Sequence, residues 1–356
     1  MDHLSKATRR AGLLGVLLLI WSALCGCAAV LPAQPVTAVT FVMNTVVEYR
    51  LYAPEAQAQE AIQAVEQMLR DLENRMSLYL DSSEIQQLNN AAGSGEWVPL
   101  SEDTFTLLER AKQFCLESGG AFDPTIAPLT ELWSITSDHP HLPSQQELDA
   151  LLPLVDVQGL ELDPEHRAAR LTQPGMAVDL GGAAKGYACS RAWEILQEHK
   201  IRSGDLSIGG NLLVVGRRPD GNQFKFGLRD PRGTANDYIA TVALEDTTMA
   251  TSGDYERFFE QDGVRYHHIL DPKTGRPAEG GLMSVSVVTD DGALADLLST
   301  ALFVQGREAA LEQINSIPGC GLILIDTDQN VYISQSLAQS VSPAGSSETY
   351  RFEVVK

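Results

Sequence analysis

Met176-Ala-Val-Asp179-Leu-Gly181-Gly182-Ala-Ala-Lys185-Gly-Tyr187 is where the chain changes character. Residues 176–180 read as a short strand, the two glycines as a hinge, and residues 184–199 as a helix. Before this corner helices dominate. From Glu55 onward Ile62, Val65, Leu69, Leu72 and Met76 recur every three or four residues and form one apolar stripe. Ser101 caps a second helix, with Glu102 and Asp103 in its first turn and Gly119-Gly120 to stop it. Ser144 and Glu147 form a capping box for a short third one. After Asp205 strands dominate, at 206–216, 224–229, 239–244, 264–270, 283–289, 322–325 and 331–334, interrupted by helices at 293–303 and from Arg307. No βαβ alternation runs through this order. The fold class expected is therefore α+β, with mixed, mostly antiparallel sheets and packed helices, in one large domain over residues 41–356.

The first 26 residues stand apart. Lys6, Arg9 and Arg10 give a positive start, and the apolar run 11–23 is short for a membrane span. Small residues then lead to Cys27, an order similar to the lipobox of bacterial lipoproteins. This reading makes residues 1–26 a signal peptide and Cys27 the lipid carrier, with an ordinary signal peptide or an uncleaved anchor as the alternatives. The Pro- and Ala-rich residues 27–40 read as a tether. Removing residues 1–26 takes away three cations and one anion, moving the net charge from −21 to −23. So acidic a body has no means of holding nucleic acid through a basic patch. Cys115, Cys189 and Cys320 remain, an odd number with no Cys-x-x-Cys spacing, and read as buried thiols.

Gly-x-Gly-x-x-Gly, Walker, Gly-x-Ser-x-Gly and His-Glu-x-x-His signatures are all absent. Three features carry chemistry nonetheless. The 181–185 corner lets backbone approach a ligand, offers free N–H groups at a helix start, and adds the Lys185 charge, as a phosphate site requires. An ordinary Gly-rich corner has the same sequence. Asp296 lies among apolar residues with Ser299 and Thr300 on the same helical face, a donor set suited to a hard cation. A carboxylate that pairs with an arginine or caps a neighbouring helix fits the same pattern. In Tyr266-His-His268-Ile-Leu-Asp271-Pro-Lys-Thr-Gly275-Arg-Pro277, a strand hands two adjacent histidines to a turn, one on each face. A strand-end histidine in isolation is more often structural than catalytic, because imidazole also caps and hydrogen-bonds freely.

Taken together, these segments resemble the ApbE family of FAD:protein FMN transferases. The resemblance is carried, in order, by Met43-Asn44-Thr45, Met76-Ser77-Leu78-Tyr79, Gly120-Ala121-Phe122-Asp123-Pro124-Thr125 and Asp179 to Ala188. Gly209-Gly210-Asn211-Leu212, Arg229-Asp230-Pro231, Thr251 to Arg257, His268 to Gly275 and Ala295 to Thr300 continue it. It implies an exported, lipid-anchored, Mg²⁺-dependent enzyme with an ApbE-like, T-fold-like domain, facing the periplasm or the cell exterior. Such an enzyme cleaves FAD, releases AMP, and leaves FMN esterified to a Thr or Ser of an acceptor flavoprotein of a membrane redox complex. The resemblance further implies FAD contacts at Met43, Tyr79, Ala121, Phe122, Asp123, Asp179, Lys185 and His268. Metal contacts fall at Gly182, Asp296, Ser299 and Thr300, with His268 and Asp296 as the catalytic pair. Two departures stand out: the family usually has Gly where this chain has Asn44, and an acid where Cys189-Ser190 stand. Water in place of the acceptor hydroxyl would make an FAD pyrophosphatase of the same site, and a non-catalytic FAD-binding lipoprotein is a third reading.

Overall fold

The structure, a computed structural model, describes residues 32–356. The expected signal peptide and the lipid-bearing Cys27 lie outside the described residues. Nine strands form the main sheet: β1 (Val36–Val42), β2 (Thr45–Leu51), β3 (Ser203–Ile208), β4 (Asn211–Gly216), β5 (Thr247–Gly253), β6 (Leu282–Thr289), β7 (Gly321–Asp326), β8 (Asn330–Ile333) and β9 (Arg351–Val354). Their spatial order is their chain order. Every neighbouring pair is antiparallel except β8–β9. The α+β expectation is met, and β1 begins inside the range read as a tether. Val36, Thr37, Val39 and Thr40 are β-branched and pair along Val47–Leu51, which overrides the Pro- and Ala-rich composition.

Eight helices are described: α1 (Glu55–Met76), α2 (Glu84–Asn90), α3 (Glu102–Glu117), α4 (Ala127–Trp133), α5 (Gln145–Leu151), α6 (Ala184–Glu198), α7 (Gly292–Gln305) and α8 (Arg307–Gln313). The stripe on α1 is buried as its spacing predicts, and Ser101 and Ser144 accept the N–H bonds expected of caps. On β7, Leu322 and Leu324 pack with Leu298, Leu302 and Phe303 of α7. Ile323 and Ile325 turn the other way and pack with Phe224, Leu228 and Val242. Those belong to a three-stranded sheet of Phe224–Arg229, Tyr238–Leu244 and Val341–Pro343. The main sheet is thus covered on both faces, and all of β6 is buried.

Two expectations fail for identifiable reasons. Residues 206–216 are not one strand: Gly209 and Gly210, at φ 58° and 93°, form a two-residue turn that splits them into β3 and β4. Residues 176–180 are not a strand either, apart from an isolated bridge between Ala177 and Ile126. Asn89 takes the place of a partner strand there, its Oδ1 accepting from Val178 N at 2.7 Å and its Nδ2 donating to Val178 O at 3.1 Å. The central strand β5, rich in Thr and Ser, has no apolar alternation to announce it.

Helices α6 and α7 cross where Gly186 meets Gly292. A Cβ on Gly186 would strike the Gly292 carbonyl and come within 2.6 Å of the Asp296 Cβ. A Gly186→Ala substitution gains up to about 1 kcal/mol of helix propensity but overpacks the crossing at a cost of roughly 3 kcal/mol. The clash wins, and the melting temperature should fall by several degrees; an unchanged melting temperature would refute the close crossing.

Candidate active site

One cavity of about 900 Å³ opens at the end of the sheet where the β1–β2 and β3–β4 turns lie side by side. Met43 and Asn44, at φ 55° and 53°, form the first turn, and both line the cavity. Asparagine is among the few non-glycine residues that accept this conformation readily. The departure at Asn44 therefore preserves the turn while adding an exposed amide at the mouth. Tyr79, 68% exposed, stands on the rim with a free ring face. Ala121 and Phe122 are buried in the wall, the Phe122 ring against Gly182. Asp123 is fixed by Thr125, whose N–H and hydroxyl donate to its Oδ1 at 2.8 and 2.6 Å.

Asp179 sits beneath these groups, its Oδ1 accepting from Gly181 N at 2.7 Å. Burial raises its carboxyl above the ordinary carboxylate value, while the Gly181 N–H, Thr130, Lys185 and Arg257 pull the other way. Lys185 reaches the cavity from the first turn of α6, where Ala183 offers no side-chain cap. Among the described residues it makes no ion pair.

The two histidines divide as the strand alternation requires, with the strand ending at His267. His267 is buried and edge-on to Phe303. Its Nε2–H donates to the Ala278 carbonyl at 3.1 Å and its Nδ1 accepts from Ile269 N at 3.3 Å, so both nitrogens are committed to backbone. His268 faces the cavity. The Arg257 carbonyl accepts from both its backbone N–H, at 3.0 Å, and its Nδ1, at 3.2 Å. A carbonyl only accepts, so the ring proton is assigned to Nδ1 and the lone pair to Nε2. Burial in the cavity wall, then the charges of Arg257 and Lys185, hold this imidazole well below its usual pKa. It is a neutral base at neutral pH.

Asp296 is buried, and its Oδ2 accepts from Gly186 N at 2.8 Å, capping α6. The capping alternative is thus realised by one oxygen. Among the described residues Oδ1 has no protein partner, and the side chain borders the cavity. Thr300 lies one turn on, its Oγ1 3.2 Å from Ser252 Oγ and 3.7 Å from where a Cβ on Gly182 would stand. Ser299 does not border the cavity: its hydroxyl donates to Asp296 O at 3.0 Å and meets Ser252 Oγ at 2.9 Å. Among the described residues no three His, Cys, Asp or Glu side chains converge as a metal cluster. One carboxylate with the Thr300 hydroxyl and the Gly182 backbone bordering the same cavity is an all-oxygen set that fits a hard, partly hydrated cation such as Mg²⁺ better than zinc.

Sequence reasoning left out several groups that border the cavity, Ser252 and Arg257 among them. Both lie in the quoted Thr251 to Arg257 run, yet only the fold turns them toward the site. At the second departure, Ser190 Oγ accepts from Gly292 N at 3.1 Å, so a hydroxyl meets the start of α7 where an acid is usual. The three thiols are buried, as expected, and form no disulfide among the described residues.

Comparison with known proteins places this arrangement. The sequence matches the ApbE family over residues 43–324. It is 33% identical to a FAD:protein FMN transferase of Treponema pallidum (strain Nichols) over 344 residues, 92% of this chain and 94% of that protein. To a FAD:protein FMN transferase of Klebsiella pneumoniae (strain 342) it is 31% identical over 280 residues, 79% of this chain and 86% of that protein. The fold superposes on the crystal structure of the ApbE protein of Thermotoga maritima with a TM-score of 0.80 and 31% identity, covering 86% of this chain and 99% of that one. On the flavin transferase ApbE of Vibrio cholerae the TM-score is 0.74 at 26% identity, covering 89% and 98%. The chain is an enzyme of the ApbE family.

Proposed function

We propose that the protein is an FAD:protein FMN transferase that uses Mg²⁺ and a Thr or Ser acceptor on a flavoprotein. The observation that carries this reading is one cavity bringing together the His268 Nε2 lone pair, the Lys185 cation in the first turn of α6, and the Asp296 carboxylate, whose Oδ1 has no protein partner among the described residues. The acceptor hydroxyl oxygen forms a bond to the flavin-side phosphorus of FAD. The bond from that phosphorus to the bridging oxygen breaks, and the bridging oxygen leaves with AMP. His268 Nε2 takes the hydroxyl proton while Nδ1–H stays on the Arg257 carbonyl, which holds the ring in place. Lys185 and the α6 start receive phosphate oxygens, and Tyr79 offers a ring face to the flavin or adenine. Asp296, Thr300 and the Gly182 carbonyl would hold Mg²⁺, with Ser299 supporting Thr300 through Ser252. The cation supplies charge stabilisation to the phosphoryl oxygens.

The test is incubation of the protein with FAD, Mg²⁺ and a candidate acceptor flavoprotein. AMP release with covalent flavin fluorescence on the acceptor is the expected result. AMP with free FMN would make it a pyrophosphatase, and FAD binding without AMP a storage protein. Export and a lipid on Cys27 belong to the same reading, supported by the positive, apolar and Cys-terminated order of residues 1–27 in the sequence. Mass analysis of the native N-terminus decides this, and an unmodified Cys27 would overturn it.

A further inference from the structure

Four arginines, Arg229, Arg232, Arg257 and Arg265, lie on the segments leading to His268. Arg229 pairs with Glu256 at 3.2 Å, Arg232 with Asp254 at 2.7 Å, and Arg265 with Glu260 at 3.3 Å. Among the described residues Arg257 pairs with none, although its neighbour Glu256 is taken by Arg229. In a chain of net charge −21 carboxylates are plentiful, so an arginine left without a direct ion pair at a cavity keeps its guanidinium donors available to an anionic ligand. Its position is specific. Arg257 borders both the main cavity and a second one of about 300 Å³ that shares Asn44, Ile135, Thr136 and Glu256 with it. Its carbonyl is the group that holds His268. Its charge is felt at both Asp179 and His268, as is that of Lys185.

We infer that Arg257 is a diphosphate-binding residue of this enzyme, a second cation beside Lys185 that meets the anionic linker of FAD next to the His268 base. This rests on the flavin-transferase reading. A guanidinium suits the task because its fork of N–H donors matches two phosphate oxygens at once and stays charged at any working pH. An exposed position at the junction of the two cavities also leaves it free to settle on the ligand as it enters.

The experiment compares Arg257→Ala, Arg257→Lys and the parent for binding of FAD and of riboflavin, which has the flavin ring and no phosphate, at fixed Mg²⁺ and several salt concentrations. The Ala variant should bind FAD about tenfold or more weakly, with a shallower salt dependence, an unchanged melting temperature and unchanged riboflavin binding or competition. The Lys variant should recover part of the loss. Unaltered FAD affinity and salt slope, with KM for the acceptor raised, would overturn the inference and make Arg257 an acceptor contact. Equal losses for both flavins with an unchanged salt slope would also overturn it and leave Arg257 a scaffold for His268. Failure of the parent to bind FAD would instead sink the transferase reading itself.

Discussion

Replacing Asp296 with Asn should abolish nearly all turnover and leave the fold standing. The two carboxylate oxygens do different work. Oδ2 accepts from Gly186 N and caps α6, a task an amide oxygen performs as well. Oδ1 has no protein partner among the described residues, the side chain borders the cavity, and what Asn removes is the negative charge that a hard cation requires. Metal stabilisation of a phosphoryl transition state is worth several kcal/mol, and each 1.4 kcal/mol is tenfold, so a loss on the order of 10²–10³-fold or more is expected. The melting temperature without ligands should hardly change, while the extra stabilisation by FAD should lose its Mg²⁺ dependence. Asp296→Ala removes the cap as well and should melt lower, by about 1 kcal/mol of lost capping. An Asn variant as active as the parent at low Mg²⁺ would remove Asp296 from the metal site and leave it a helix cap alone.

His268→Ala should lose roughly 10²–10⁴-fold in rate, the usual worth of a positioned general base. FAD affinity should fall much less, since phosphate and ring contacts lie on other residues. The adjacent His267→Ala separates chemistry from scaffold. Both His267 nitrogens hold backbone groups and its ring packs on Phe303, so its loss should lower stability by about 1–3 kcal/mol with little effect on turnover of the folded protein. The pH profile adds a second check. Burial, Arg257 and Lys185 disfavour the imidazolium of His268. The acid limb of kcat/KM, which reports the free enzyme, should therefore fall below the ordinary imidazole value of about 6.5. Binding of the FAD anion raises that pKa again, so the limb of kcat should lie higher. A His267 variant that loses the rate, or a His268 variant that retains the limb, would assign the base elsewhere.

Much of this was already written in the sequence, wherever the deciding partner is a few residues away. The α1 stripe, the Ser101 and Ser144 caps, the Gly119-Gly120 stop and the divergence of His267 from His268 follow from periods of 3.6 and 2 and from caps three residues long. The order of short motifs likewise pointed to the family without any coordinates. What the sequence left undecided involves distant partners. Residues 176–180 lose their strand because Asn89, 89 residues earlier, bonds Val178 on both sides. Asp296 became a helix cap through Gly186, 110 residues away, which periodicity on α7 has no means of showing. Ser299 shares the helical face of Asp296, yet the fold commits its hydroxyl to Ser252 and the helix backbone, so Thr300 alone of the two hydroxyls borders the cavity. Arg257 was one arginine among several in the sequence; in the fold Arg229 takes Glu256, and Arg257 is left beside His268 without an ion pair among the described residues. Local chemistry follows from neighbouring residues, whereas the sharing of charge and hydrogen bonds inside a closed cavity depends on which distant segments the sheet and helices bring together.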